Sequence, residues 1–597
     1  MITLVGAFII LIIIFSTSSV SEISDTAKGA AKHIPRPSIP RPNLSSLQNI
    51  HSPFRQASHE PPVQKNSTSG EAKWFSDWKW ANPFSSSITL DENRSVLPPL
   101  RTRPPIYTFY DETGKDEETR AVENSLLLIW RRAWWAQGFK PAILGKPEAM
   151  NNPLYETLQG KKLDPALEAE IMRWLAWGHM GTGILANWLV LPMGSYDDHL
   201  LSYLRRGLYP RLTRYENLGS GLFSGEQASI NAAISLTLKS GNLPTAKTFI
   251  EAISDPDIFV VDPKPAGIAF YETSTITTSY KPIADALLTK QSSGLLSLAK
   301  LITFHLHTTF LNTFTSGLAI LTPHASASAI LSTPALSLAN SLVTCPESPM
   351  PHSCPPNVPN CKPCDPTSPL PVTYPSTYLN TSTLYTIGTI PHPYTLALLF
   401  NRSSDITTRH IRRYTDRDPW LLAVTQKTLG KAIAGPARIV SFKESVATEW
   451  DAARGIWSTA ERKWEKKDLE WHFGFALPSP SNKTTPDPTS QLQPLLSTLP
   501  TTLTPSDLKT QSALLDNAQD VVDLKSSKEG SGKKSKVGIR KVVEAWNLAD
   551  TEAWRFVRAF EARGRMERRK WEEEERKFVG GEEGEGRGEG WGRWFDG

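Results

Sequence analysis

The chain has 597 residues with 65 basic against 60 acidic side chains, a formal charge of +5, and no concentrated basic face runs through its central region, so charge gives no argument for nucleic acid as a partner. Its 47 prolines and long Ser/Thr/Pro stretches point to one large domain with flexible flanks rather than several packed ones. No P-loop, Rossmann glycine fingerprint, H-E-x-x-H or G-x-S-x-G occurs, which removes the commonest nucleotide, zinc-protease and esterase readings.

Ile2–Phe15 is an uninterrupted apolar run, so residues 1–20 read as a signal anchor or a signal peptide that sends the chain to a membrane. Its n-region lacks Lys and Arg, Ser19-Val20-Ser21 is a mediocre cleavage site, and Lys28, Lys32 and Arg36 lie on the wrong side for the positive-inside rule. Residues 21–100, rich in Pro, Ser and Asn, read as a disordered stem interrupted by the aromatic patch Trp74–Trp80.

Order is expected from residue 101. A strand at Pro104–Asp111 leads into a helix from Glu118 to Gln137, with Leu127, Trp130, Arg131, Trp134 and Trp135 at three- and four-residue spacing; Gly138 stops it. A strand at Lys140–Gly145 completes a βαβ unit, hence parallel strands and a right-handed crossover. A short helix around Pro147–Leu158 and a stronger one at Pro165–His179, capped by Asp164 and ended at Gly181, precede a β-like run from Ile184 to Leu191. This alternation argues for α/β architecture, a mixed sheet flanked by helices.

Beyond Asp262 the pattern weakens. Leu295–Leu342 is apolar, yet Lys300, His305 and His307 inside it argue against a membrane span. All four cysteines, Cys345, Cys354, Cys361 and Cys364, crowd a Pro-rich loop that reads as stapled by two disulfides in an oxidising lumen; a zinc site, suggested by Cys361-x-x-Cys364, is the rival. Sequons at Asn43, Asn66, Asn93, Asn380, Asn401 and Asn482 are compatible with glycosylation there. His392 is held rigidly between two prolines, and Arg412, Arg413, Arg417 and Asp418 form a charged cluster best read as a salt-bridged surface. A helix from about Ala437 to Trp471 should close the domain at residue 475. A disordered linker over 476–540 follows, then an amphipathic helix within 541–579 carrying Trp546, Trp554, Val557 and Phe560 on one face before the WEEEERK run, then a disordered tail over 580–597.

The order of elements over Pro104–Leu238 resembles the nucleotide-diphospho-sugar transferases of the DXD type. The strand ends in acidic Asp111, the helix ends W-x-x-x-G-x-x-P at Trp134–Pro141, and an E-A-x-x-x-P-x-Y segment follows at Glu148–Tyr155. A helix bearing Arg173 in Met172-Arg173-Trp174-Leu175-Ala176 then precedes a Gly-rich turn into a strand, as in the branch similar to fungal mannosyltransferases that start outer chains. Over nearly its whole length the chain also resembles ascomycete proteins of unknown function. The transferase resemblance implies a GT-A-like fold and a Golgi or endoplasmic-reticulum protein, secreted if the N-terminal segment is cleaved. It also implies transfer of a sugar from a nucleotide donor to a glycan or glycoprotein acceptor.

The family motif, G-G-x-Y-x-D-x-D, corresponds here to Thr182–Leu189, with Asn187 and Leu189 at the aspartate positions. The usual Mn2+ or Mg2+ site is therefore degenerate, and three readings stand: metal-independent catalysis, replacement by Asp197 and Asp198, or a fold kept as a non-catalytic binding scaffold. Capping the helix that begins there is the more ordinary reading of Asp197 and Asp198. Donor contacts are expected from Asp111, Arg173, Gly183, Asn187, Arg205 and Arg206, the last two as guanidinium forks on a diphosphate, with a solvated helix face as their other reading. Glu216 or Glu226 is the candidate base for an acceptor hydroxyl, and the helix start after Gly225 could meet phosphate with free N–H groups. A third reading is an adaptor built on the C-terminal helix.

Overall fold

The computed structural model describes residues 58–62, 97, 102–253, 255–263, 265–321, 328–375, 378–379, 381–390, 442–448, 453–459, 464–478, 505–506, 509 and 556–579. All of these lie in the unit Gln56–Gly597. The apolar N-terminal run, the Trp74–Trp80 patch, every sequon, His392, the Arg412–Asp418 cluster and the tail from Gly580 lie outside the described residues.

The sequence-expected βαβ unit is present: β1 (Pro105–Phe109), α1 (Glu117–Ala136) and β2 (Lys140–Leu144), the strands parallel with Pro105 opposite Lys140. α1 forms because Leu126, Leu127, Trp130, Ala133 and Trp134 recur on one side and are buried, and it ends where Gly138 takes φ 88°. The Pro147–Leu158 segment breaks into α2 (Lys146–Met150) and α3 (Tyr155–Leu158), since Pro153 has no amide to continue a helix. α4 (Pro165–Met180) starts as expected, with the Asp164 carboxylate accepting from the Ala166 amide at 2.9 Å.

β3 (Gly183–Ala186) pairs parallel to β1. The β-like run to Leu191 is not one strand: it breaks at Asn187, and β4 (Val190–Pro192) leaves for a second, two-stranded ladder with β8 (Ile268–Phe270). Between them in sequence come α5 (His199–Arg205), β5 (Thr213–Tyr215), β6 (Leu222–Gly225), α6 (Gln227–Lys239), α7 (Phe249–Ala252) and β7 (Val260–Asp262). The main sheet is mixed, in the order β2-β1-β3-β6-β5-β7, with β6 antiparallel to both neighbours. α1 covers one face of it through Leu127, Trp130 and Trp134 against Ile106, Ile143 and Ile184. On the other face Ile171 and Trp174 of α4, with Ile230 and Ile234 of α6, pack on Tyr107, Leu185 and Phe223.

The described residues of the stretch after Asp262 form regular elements. Helices α8 (Thr273–Ser279), α9 (Lys281–Thr289) and α10 (Gln291–Thr313) precede β9 (Gly317–Leu321) and α11 (Ser328–Val343). His305 and His307 of α10 are fully buried and hydrogen-bonded, to Tyr271 Oη and Ser353 Oγ and to the Leu342 carbonyl respectively. Among the described residues no helix is long and apolar enough to cross a membrane. A second, wholly parallel sheet runs β10 (Val372–Thr373), β9, β11 (Leu384–Ile390), β12 (Gly455–Thr459). The single helix expected to Trp471 is therefore interrupted by β12, where Ile456 and Trp457 meet Ile387 and Gly388 across the ladder; α12 (Lys466–Phe473) resumes after it.

The cysteines form two nested disulfides, Cys345–Cys364 and Cys354–Cys361, and not a zinc site. The loop they close is tied to the body by Tyr280 Oη on the Cys354 carbonyl and by Asn357 Nδ2 on the Pro265 and Ile268 carbonyls. Near the C-terminus residues 556–575 are helical (α13). Trp571 stacks on Trp135 of α1 at 4.7 Å and meets Trp471 edge-on, while Arg568 pairs with Asp468 and Glu572. Glu572 and Glu575 of the charge run are buried, and so is His59 in residues 58–62.

Candidate functional site

From β1 the chain crosses to β2 on one side and later to β3 on the other, with α1 and α4 on opposite faces. The order of connections thus reverses between β1 and β3, and in open α/β sheets the crevice outside the carboxyl ends of such a strand pair is where ligands bind. At that edge stand Asp111 after β1, Asn187 after β3, the Glu216–Gly221 loop between β5 and β6, and Glu272 after β8. The loop turns tightly: Asn217 and Gly219 have positive φ, and the Gly221 carbonyl accepts the Asn187 amide at 2.7 Å. A Cβ on Gly221 would lie 2.7 Å from the Leu218 carbonyl and 2.9 Å from the Phe270 ring, so only glycine lets the loop approach β3 this closely.

Arg173 is the unusual group here. α4 carries it beneath the loop, 9 % exposed, where Nη1 donates to the Ser220 carbonyl at 2.7 Å. Nε and Nη2 are buried and without a partner among the described residues. Burial draws its pKa down to about 10, opposed by the Glu170 charge, which leaves it cationic at neutral pH. A buried cation bonded only to one carbonyl leaves its desolvation largely uncompensated, and a ligand anion would supply the missing acceptors.

Asn187 does not face outward as a metal ligand. Its Oδ1 accepts the Leu189 amide at 2.9 Å and its carbonyl accepts the Val190 amide, closing the turn that splits β3 from β4. Leu189 packs against the core. One engaged amide oxygen and an alkyl group do not fit Mn2+ or Mg2+, and among the described residues no group of three His, Cys, Asp or Glu side chains is arranged to hold an ion. Asp111 pairs with Lys146 at 3.0 Å and accepts from the Thr113 amide; although burial opposes it, these contacts hold its carboxyl below the ordinary range. Glu216 is exposed at the same edge, two strand spacings or about 10 Å across from Asn187. Gly183 starts β3 at the opposite end, where a Cβ would sit 2.7 Å from the Tyr107 ring, so it serves strand packing.

The structure separates the remaining candidates from this edge. After Asn187 the chain doubles back along α1, with the Trp134 indole donating to the Val190 carbonyl and Gln137 to the Gly194 carbonyl, and returns to the amino end of the sheet. There Asp198 caps α5, its Oδ1 accepting from the Leu200 and Leu201 amides at 3.0 Å, and Asp197 is exposed beside it. Arg205 is consumed locally by the Tyr196 carbonyl, Ser202 Oγ and the Tyr196 ring at 3.8 Å, and Arg206 is an exposed residue at the end of α5. Glu226, at the start of α6 after Gly225, also sits at the amino end, since Gly225 pairs with Gly183. The replacement metal pair and the diphosphate forks thus lie at the end of the sheet opposite Asn187. Sequence spacing treated residues after a strand as staying at its end; the Asn187 turn sends them away.

Two features were not foreseen. Glu272 follows β8 and stands near Gly219, its Oε1 4.0 Å from where a Cβ would be, because the β4–β8 ladder brings Tyr271 against Leu189. At the carboxyl end of β2, His59 sits between Glu148 and Glu575 at 2.8 and 3.2 Å, a contact spanning nearly the whole chain that no local pattern reveals.

Fold and site together define a mixed α/β protein with a topological switch point between β1 and β3 and a buried cation beneath the loop at that edge. The sequence matches the family described as Domain of unknown function (DUF8765) over residues 68–597, and the chain belongs to that family. No curated protein and no solved structure matches it.

Proposed function

We propose that the protein is a glycosyltransferase-like luminal protein that binds a nucleotide sugar at the carboxyl ends of β1 and β3 and transfers the sugar to a glycan or glycoprotein acceptor without the two-aspartate metal site. The observation that carries this reading is Arg173, whose unpartnered Nε and Nη2 supply donors for a diphosphate at the edge where a switch-point ligand binds. In the step proposed, the acceptor hydroxyl oxygen attacks the anomeric carbon and the bond to the diphosphate oxygen breaks with its electron pair leaving on the diphosphate. Arg173 offsets that charge, and Glu216 or Glu272 takes the hydroxyl proton. Asp111 is assigned to the nucleoside side of the crevice. Placement in the Golgi or endoplasmic-reticulum lumen, anchored by the N-terminal segment or secreted after its cleavage, is supported by the two disulfides.

A second reading, a non-catalytic binding scaffold, is favoured by Asn187, whose side chain closes a turn instead of offering a ligand. Incubation with a panel of nucleotide sugars and glycan acceptors separates the two. Release of nucleoside diphosphate dependent on acceptor and lost in Arg173→Gln is expected for the transferase; glycan or nucleotide binding with no product assigns the scaffold.

A further inference from the structure

The two flanks of the chain meet over the carboxyl end of β2, next to the crevice. His59 donates its backbone amide to Glu148 Oε1 at 2.8 Å, places Nδ1 against the same oxygen, and turns Nε2 to Glu575 Oε2 at 3.2 Å. Its ring stacks on Phe578 at 3.6 Å, and the next residue, Val579, lies so close to Gly145 that a Cβ there would be 3.0 Å from its Cγ2. Glu148 Oε2 accepts the Gly145 amide at 2.7 Å, and neighbouring Lys146 reaches Asp111. In mononucleotide-binding βαβ units the first strand's end meets the phosphates and the second strand's end meets the ribose. Phe578 and Val579 therefore sit where the nucleoside half of a donor would lie.

We propose that His59 is the pin of an intramolecular latch: residues 58–62 hold Phe578–Val579 over the carboxyl end of β2 and close the nucleoside side of the crevice until the pin is withdrawn. The physical basis is the charge arrangement. With His59 in place one imidazolium is shared by two buried carboxylates; with it removed, Glu148 and Glu575 face each other unpaired, and burial of like charges favours their separation. Withdrawal of residues 58–62 thus acts on the C-terminal segment, although 516 positions separate His59 from Glu575.

The closing of a nucleoside subsite rests on the donor reading above, and the test separates the two. Hydrogen exchange of the full chain is compared for wild type, His59→Ala and Phe578→Ala, alongside binding of GDP and UDP. Both substitutions are expected to accelerate exchange of the Gly145–Glu148 amides and of residues 572–579 at least tenfold while β1, β3 and α4 stay protected, and to tighten nucleoside diphosphate binding about tenfold. Phe578→Ala leaves the His59 pair intact and keeps the test usable where His59→Ala does not fold. Unchanged exchange in those segments overturns the latch; faster exchange with unchanged affinity overturns its role as a cover. Binding that is indifferent to Arg173→Gln overturns the donor reading instead.

Discussion

Titration of the full chain between pH 6 and 10 offers a sharp check on the His59 contact. Burial alone would lower this imidazole's pKa, but the hydrogen bonds it donates to Glu148 and Glu575 and their charges outweigh it and hold it at about 9 against an ordinary 6.5. A group raised in the folded state contributes stability that is fully present below pH 6.5 and is lost as the pH climbs through 9. At ~1.4 kcal/mol per pH unit, the rise amounts to about 3 kcal/mol. The groups facing His59 are Glu148 of α2, Glu575 of α13 and His179 of α4, and Tyr107 of β1 feels the Glu575 charge. The window is clean because the other shifted histidines, His179 beside the contact included, are all lowered. His305, His307 and His472 are depressed by burial to about 3, 4 and 4, so their contributions fail only as the pH falls below 6.5. Tyr107 and Tyr271 are raised by burial and matter only above pH 10. Urea unfolding at each pH should show wild type losing stability from pH 6.5 to 9 while His59→Gln stays flat across that interval. Parallel slopes in the two proteins would refute the assignment.

Asp198→Ala should lower stability by about 1 kcal/mol through loss of the α5 cap and leave nucleotide binding unchanged, because the residue lies at the amino end of the sheet; calorimetry with GDP and UDP checks both parts. Replacing Cys345 and Cys364 by serine opens a loop of sequence separation 19 and should cost about 3 kcal/mol, seen as a lower urea midpoint.

The βαβ unit, α4 with its Asp164 cap and the stapled cysteines were legible because each is written in local signals: three-to-four-residue apolar spacing, a capping side chain, an even cysteine count in a Pro-rich loop. The helix that carries Arg173 was legible, but not the residue's burial or its unmet donors, which depend on the Ser220 loop folding over α4. Asn187 closes a turn, and a strand break of that kind shows only when β4 finds β8 far along the chain. That one turn carries Asp197, Asp198, Arg205 and Arg206 to the other end of the sheet, which sequence spacing alone does not show. β12 was read as helix because its partner strand is distant in sequence, so pairing overrode local propensity.

The most direct test of the central claim is thermal stabilisation of the full chain by nucleotide sugars, with and without manganese, in wild type, Arg173→Gln and the double variant Asp197→Ala/Asp198→Ala. A donor at a hundred times its dissociation constant should stabilise the fold by about 2.7 kcal/mol. A donor-specific shift independent of manganese, retained in the aspartate variant and abolished in Arg173→Gln, is expected. A shift that needs manganese and vanishes with Asp197 and Asp198, or one that survives loss of Arg173, would contradict that claim.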